Sequence, residues 1–202
     1  MEEIKFMEKP DWVSWEQVCD CIHAANVIND KKGFHMLFSD VKPDDLEEEM
    51  RNGKCFVALH GKMVVGTASY RIRKLRKWYV WGDVLYHCND SILPDYRGTD
   101  VYFGLKELRR ESEKDSGIKI IQAHTAEQNK TIIKISLKTG FKLVLFKPTG
   151  KGANYYSVTF VKWEEGCPFP NWYLNFMFNL SRLFFKTFFT PDFKFRPSLK
   201  RL

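Results

Sequence analysis

The sequence has no run of about eighteen uninterrupted apolar residues, the length a membrane-crossing helix needs. Its acidic start, MEEIKFMEK, lacks the basic-then-apolar order of a secretory leader. The five cysteines, at 19, 21, 55, 88 and 167, form neither a disulfide framework nor a zinc spacing. Cys19 and Cys21, two apart in a helical pattern, point away from each other. Five histidines without paired spacing exclude a recognisable metal site, so no metal is expected. No internal repeat, basic repeat or DNA-binding motif is present, so nucleic acid is not an expected partner. A reducing cytoplasm is the expected compartment, with the protein either free there or peripheral to a membrane.

What the sequence does have is apolar and aromatic material, 44% and 15% of its 202 residues, enough to bury a core without metal or disulfide support. The formal charge is +7, and its distribution is uneven. From Pro168 to the end, the cations Arg182, Lys186, Lys194, Arg196, Lys200 and Arg201 face only Asp192, and the remainder is nearly balanced. One domain with a short appendage is expected.

Trp12, Trp15, Val18, Cys19, Ile22 and Ala25 recur at three- and four-residue steps, which predicts an amphipathic helix over about 11–29. A short helix follows Pro43, whose Asp44 and Asp45 sit well on its positive end, and Gly53 is expected to close it. Residues 55–60 and 63–70 read as a hairpin turning at Gly61-Lys62. A third strand spans about 78–93 and breaks at Pro94-Asp95-Tyr96-Arg97-Gly98. Val101, Leu105, Leu108 and Ser112 then share one face of a half-buried helix. A strand at 118–123, a helix at about 130–138 stopped by Gly140, and strands at 141–146 and 155–161 complete the body.

A helix opening directly after a strand and a tight turn leaves its first N–H groups unpaired at the positive end of the dipole, which suits a pyrophosphate. Here the chain resembles a known family. The segment from Ser91 to Leu105, SILPDYRGTDVYFGL, is similar to the cofactor motif of the GNAT N-acetyltransferase superfamily, usually V-x-P-x-Y-R-G-x-G-x-G followed by helix. Asn129, Ile132, Ile135, Lys138, Gly140 and Phe141 resemble the family's later motif, an Asn opening a helix that ends in Lys-x-Gly-Phe. The resemblance spans about 11–162. It implies an α/β (α+β) fold, with a mixed, mainly antiparallel central sheet flanked by helices, over a domain 1–163. It also implies acetyl-CoA as co-substrate, held by Ile92, Leu93, Arg97, Gly98, Thr99, Asp100, Val101, Tyr102, Asn129 and Lys138.

Two departures fall in the cofactor loop. Asp100 and Tyr102 replace the two later glycines of the motif. Asp100 either places a like charge beside phosphate, at a cost of ~1 kcal/mol or more at about 4 Å in a partly solvated site, or caps the helix with its own carboxylate. Attack by an amine on a thioester needs a base or a water path. The resemblance implies that the strand before the Pro turn carries it. By alternation Val84, Tyr86, Cys88 and Asp90 share one face, and Leu85, His87 and Asn89 the other. Asp90 or Tyr86 comes first as the base, with His87 next if a bulge slips the register. Ser136 stands where the family often has a tyrosine that protonates the leaving thiolate, and a serine hydroxyl is a far weaker acid. Tyr155, Tyr156 or water are the substitutes. His124 and Glu127 are expected as surface or loop residues.

Residues 164–202 form an aromatic, basic C-terminal extension holding a helix at 171–189. Asn171, Asn175, Asn179, Arg182 and Lys186 make one narrow polar stripe on it and aromatic or aliphatic residues fill the rest. Such a surface calls for a partner: the body of the domain, a second subunit in a homodimer, or an anionic membrane surface contacted through 171–202. The leading functional reading is acyl transfer, chiefly of acetyl, to a primary amine of a small molecule. The alternative is a degenerate GNAT fold without catalysis, acting as a binding or assembly module through its tail.

Overall fold

The computed structural model describes residues 3–31, 41–150 and 153–194. The chain forms a mixed α/β fold of two compact units. One comprises 1–74 and 83–118, and the other 75–82 and 119–202.

In the first unit the strands are β1 (Ile4–Glu8), β2 (Gly53–His60), β3 (Met63–Lys77) and β4 (Val80–Ile92), neighbours in that order. The tip of the β3–β4 hairpin, 75–82, groups with the second unit. β1 pairs antiparallel with β2, from Ile4 opposite His60 to Glu8 opposite Phe56. β2 pairs antiparallel with β3 around the expected two-residue turn, His60 opposite Met63. β1 was not foreseen. It is a five-residue edge strand within the acidic segment MEEIKFMEK.

Helix α1 runs Trp15–Lys31, later than the apolar periodicity suggests. Ser14 and Gln17 set its start: the Gln17 N–H donates to Ser14 Oγ at 3.3 Å, and the Ser14 N–H to Gln17 Oε1 at 2.9 Å, a reciprocal capping box. Trp12 therefore lies before the helix. Helix α2 is Pro43–Met50, and its C-cap is Arg51, not the expected Gly53. Gly53 instead opens β2, where a Cβ would stand 2.1 Å from the Tyr70 carbonyl oxygen, so only glycine permits the two strands to approach there. The core of this unit gathers Val18, Ile22, Leu46, Val57 and Leu59. Cys19, Cys21 and Cys55 lie in it as free thiols, and burial pushes Cys19 up to about 11 and Cys21 up to about 12. Such thiols are inert packing groups at neutral pH.

A 3-10 turn at Pro94–Tyr96 ends β4, and helix α3 (Val101–Asp115) follows. Val101 and Leu105 are buried as the helical spacing predicts, but the buried line continues through Arg109 and Glu113, and Leu108 and Ser112 are only half-buried.

In the second unit the strands β5 (Ile120–Ala126), β6 (Lys142–Pro148) and β7 (Tyr156–Trp163) stand in the order β5-β7-β6, both pairings antiparallel. Helix α4 is Lys130–Lys138 and helix α5 is Asn171–Phe188. α5 packs closely along β6. Leu174 is buried, Ser181 Oγ accepts the Phe146 N–H at 3.0 Å, the Phe146 and Phe178 rings meet edge to face, and Tyr156 Oη donates to the Phe189 carbonyl at 2.7 Å. Lys186, read from the wheel as part of a polar stripe, lies over the Phe146 and Tyr156 rings and pairs with Glu127 at 2.9 Å. The rest of the stripe, Asn171, Asn175, Asn179 and Arg182, is exposed together with much of the apolar surface.

Candidate active site and cofactor loop

The loop between β4 and α3 is shaped by its own hydrogen bonds. The Tyr96 N–H donates to the Leu93 carbonyl at 3.0 Å and the Arg97 N–H to that of Pro94 at 3.2 Å, which closes the tight turn. Gly98 then takes φ +80°, a left-handed conformation costly for other residues, with open space where a Cβ would project. Thr99 Oγ1 donates to the Tyr96 carbonyl at 2.6 Å and lies 3.4 Å from the Val101 nitrogen. The first helical bond runs from the Gly104 N–H to the Asp100 carbonyl at 2.8 Å.

Asp100 occupies the N-cap position, but its carboxylate makes no capping bond and its backbone is helical. The expectation that Asp100 caps α3 is corrected: an Ncap side chain reaches the N2 or N3 amide from an extended backbone, and φ −72°, ψ −5° turns it outward. Asp100 therefore blocks none of the first-turn amides, although Thr99 Oγ1 accepts the Val101 N–H, and the Tyr102 and Phe103 amides lie at the dipole's positive end. Val101 is buried, Tyr102 half-buried with burial pushing its phenol up, and Phe103 is exposed.

Arg97, a motif cation, is occupied. Its Nη2 donates to the Ala25 carbonyl of α1 at 2.6 Å and its Nε to the Ile92 carbonyl at 3.3 Å. It therefore fixes the turn instead of presenting a free charge. Leu93 packs on the core cluster, and its N–H donates to the Val65 carbonyl at 3.0 Å. A hollow of about 400 Å³ runs beside α3, but its lining includes the carboxylates Asp100, Glu107 and Glu111 with Phe6 and Phe103. That chemistry does not suit a diphosphate, so the loop itself is the candidate.

The three β4 candidates do not fall on the faces that strict alternation assigns. Asn89 has φ +57°, a left-handed kink in the strand, and its amide nitrogen is buried without a hydrogen-bond partner. Past this kink, His87 and Asp90, three residues apart, both reach α3. His87 Nε2 lies 2.5 Å from Glu113 Oε1, Arg109 Nη1 donates to Asp90 Oδ1 at 2.5 Å, and Arg109 Nε stands 3.3 Å from Glu113 Oε1. Arg109 Nη1 also lies 3.4 Å from the Ser69 carbonyl. The chain His87–Glu113–Arg109–Asp90 is a buried polar network open to solvent only at Asp90, whose side chain is 40% exposed. Burial, and then the Arg109 charge, pushes the His87 imidazole below its ordinary value, so it is neutral at pH 7. Arg109 and Glu113 are the residues that sequence reasoning missed. The one sequence signal is an Arg and a Glu four apart on the helix, but the spacing puts Arg109 on the polar face with Lys106, Arg110 and Lys114, whereas the structure buries it.

Tyr86 points elsewhere. The guanidinium of Arg73 stands 4.4 Å from its ring centre and that of Arg71 5.4 Å, and burial pushes its hydroxyl up to about 12.

In the second unit, Asn129 Oδ1 accepts the Ile132 N–H at 3.2 Å and so caps α4, the part the later motif gives it. Lys138 is exposed in the last turn. The Ser136 carbonyl accepts the Thr139 and Phe141 N–H groups, each at 3.1 Å, which ends the helix. Tyr155 and Tyr156 are buried, and the Tyr156 proton goes to Phe189. His124, expected at the surface, instead sits half-buried on β5 between Gln122 and Thr159, with ring nitrogens 3.0 and 2.9 Å from them.

No protein-family model matches this chain, and no curated protein does. Solved structures do. An acetyltransferase from Streptococcus agalactiae is similar over 81% of this chain and 99% of that one, at 22% identity and TM-score 0.56. A GNAT-family acetyltransferase from Streptococcus pneumoniae matches over 80% and 99%, at 15% identity and TM-score 0.58. A GNAT-family acetyltransferase from Elizabethkingia anophelis, solved with acetyl-CoA bound, matches over 81% and 99%, at 10% identity and TM-score 0.55. At these identities the likeness is one of architecture, and it establishes that the chain has the GNAT acetyltransferase fold.

Proposed function

We propose that this protein is an acyl-CoA-dependent N-acyltransferase that transfers acetyl to a primary amine of a small molecule in the cytoplasm, with residues 1–163 as its acyltransferase part. One observation carries the reading: α3 opens behind a left-handed Gly98 with no cap from Asp100 on its first-turn amides, in a chain with the GNAT fold. The fit for a diphosphate is best at the amides of Tyr102 and Phe103, because those of Thr99 and Val101 are given to the Tyr96 carbonyl and Thr99 Oγ1, and it is poorer at two positions. The Asp100 carboxylate is a like charge, and the Tyr102 ring is bulk where the motif has glycine.

The thioester of acetyl-CoA supplies the activated acyl group. On the protein's side, Gly98, Tyr102 and Phe103 are the positions whose N–H groups suit the diphosphate. The Thr99 N–H is given to the Tyr96 carbonyl, the Val101 N–H to Thr99 Oγ1 and the Leu93 N–H to the Val65 carbonyl, so Ile92, Leu93, Thr99 and Val101 shape the loop. Arg97 holds the turn in shape through Ala25 and Ile92. Of the three candidate bases, Asp90 is the one its network leaves open to solvent, so it takes the amine proton directly or through water. His87, neutral and bonded to Glu113, positions the network, and Tyr86, with its hydroxyl pushed up to about 12, stays protonated at neutral pH. Ser136 is a poor acid, so departure of the thiolate proceeds with water as proton source.

A specific observation favours a second reading, a non-catalytic binding module: Asp100, Tyr102 and Ser136 all depart from the motif residues. Thermal unfolding with acetyl-CoA separates the two. Ligand at about 100 times its Kd stabilises by ~2.7 kcal/mol, which for a chain of this length raises Tm by about 5–10 °C. A rise of that size, with free CoA thiol released when an amine mixture is added, supports the enzyme. A rise without thiol release shows a loop that binds the cofactor without turnover, and no rise refutes the acyltransferase and favours the module that acts through its tail.

A further inference from the structure

Helix α5 leaves an apolar stripe in solvent. Trp172 is 71% exposed, Phe176 58%, Leu180 47% and Leu183 68%, at steps of four, four and three residues that place them on one side. The helix contains no carboxylate, and of its two cations Lys186 is paired with Glu127, whereas Arg182 is exposed in the polar stripe that flanks the apolar one. The first turn of α5 joins a second aromatic and cationic surface of the same unit. Tyr173 meets the Trp78 ring at 5.7 Å, and on the same hairpin tip Arg76 stands 5.2 Å from the centre of the Trp81 ring, itself 76% exposed. Lys77 is exposed beside them.

We infer that the second unit docks in the plane of an anionic lipid surface through the exposed stripe of α5 and the Arg76–Trp81 hairpin tip. Charge complementarity selects this occupant. Among the described residues of this surface Arg182, Arg76 and Lys77 are exposed cations, while Lys186 and Lys194 are paired with Glu127 and Asp192. Anionic headgroups complement that surface, whereas a second copy would bring the same cations and no carboxylate on α5 to meet Arg182. The side chains also suit the depth. Trp, Phe and Leu enter the headgroup–acyl boundary while Arg and Lys remain at the phosphates. Among the described residues no helix is long and apolar enough to cross a membrane, so the contact is peripheral. At 1.5 Å per residue, α5 would lie along roughly 27 Å of the surface. This inference stands apart from acyl transfer, since it uses none of the cofactor-loop residues.

The test is flotation of the full chain with vesicles rich in phosphatidylglycerol and with pure phosphatidylcholine vesicles, at low and high salt, beside the variant Phe176→Ser/Leu183→Ser. Both positions are exposed, so circular dichroism of the variant should match the parent. We expect recovery with anionic vesicles at least about tenfold above neutral ones, falling in high salt. The variant should lose about tenfold of that recovery, because two apolar side chains no longer leave water. Equal recovery on both vesicle types, or unchanged recovery of a folded variant, overturns the inference. So does a parent that does not float but sediments as a dimer that the variant splits, which would give the stripe to a second copy.

Discussion

Replacing Glu113 by Gln removes the carboxylate that links His87 to Arg109 and leaves the cation nearly as buried as before. Arg109 is 4% exposed in its side chain and Glu113 9%. Breaking a buried pair completely costs about 3–5 kcal/mol. Here Arg109 keeps Asp90 and the Ser69 carbonyl, so the loss should be about 2–3 kcal/mol. Asp90→Asn removes the other charge, but Asp90 is 40% exposed and water screens it, which reduces the expected cost to about 1 kcal/mol. Urea unfolding of the parent, both single variants and the double variant gives the costs, and a double-mutant cycle gives the coupling through Arg109. His87 supplies an independent readout. Its folded value is depressed below 6.5, so the unfolded chain binds its proton first and His87's contribution to stability is present above 6.5 and lost as pH falls below it. In Arg109→Met the cation that disfavours imidazolium is gone, so the His87 resonance should titrate at higher pH than in the parent. Equal costs for Glu113→Gln and Asp90→Asn, or a parent His87 that titrates at or above 6.5, would refute this account of the network.

Three further outcomes are expected. Gly66→Ala places a Cβ 2.8 Å from Val101 Cγ1 and 3.0 Å from Leu105 Cδ1. Val101 is stiff at χ1 in a helix, so α3 must shift, and unfolding should show a loss of about 1–3 kcal/mol with weaker acetyl-CoA binding. Asn89→Gly relieves a left-handed backbone and removes a buried donor without a partner, which should stabilise the fold by about 1 kcal/mol, read as a raised urea midpoint; a lowered midpoint would mean that the amide has a structural partner. Leu174→Ala, at the one fully buried position of α5, should cost about 2–5 kcal/mol by the same measurement.

Much of the order of elements was legible because periodicity survives wherever one face is buried. α3, α4 and α5 fall where the spacing of Val101 and Leu105, the Asn129 cap and the phenylalanine-rich segment put them. Their pattern depends only on local geometry. What could not be read required knowledge of the partner. β3 extends to Lys77 through Arg71-Ile-Arg-Lys-Leu-Arg-Lys, a charged stretch with no buried face to impose alternation on its outer half. The kink at Asn89 is a single residue in an unusual conformation, and it redirects Asp90 to the side occupied by His87. Nothing in the residues around it announces that turn. The helical spacing puts Arg109 on the polar face with Lys106, Arg110 and Lys114, and only its burial with Glu113 against β4 makes the pair part of the site. In α5 the wheel gave the right helix, but which of its sides meets β6 depends on Ser181 and Lys186 finding Phe146 and Glu127, contacts distant in sequence.

The central claim is that the amides opening α3 receive the diphosphate of CoA, with the Asp100 carboxylate as an exposed like charge beside it. Calorimetry of acetyl-CoA with the parent and with Asp100→Gly tests it directly. Removing ~1 kcal/mol of repulsion should tighten binding about fivefold, more at low salt than at high salt. Identical affinity for the two proteins, or tighter binding by the parent, would contradict it.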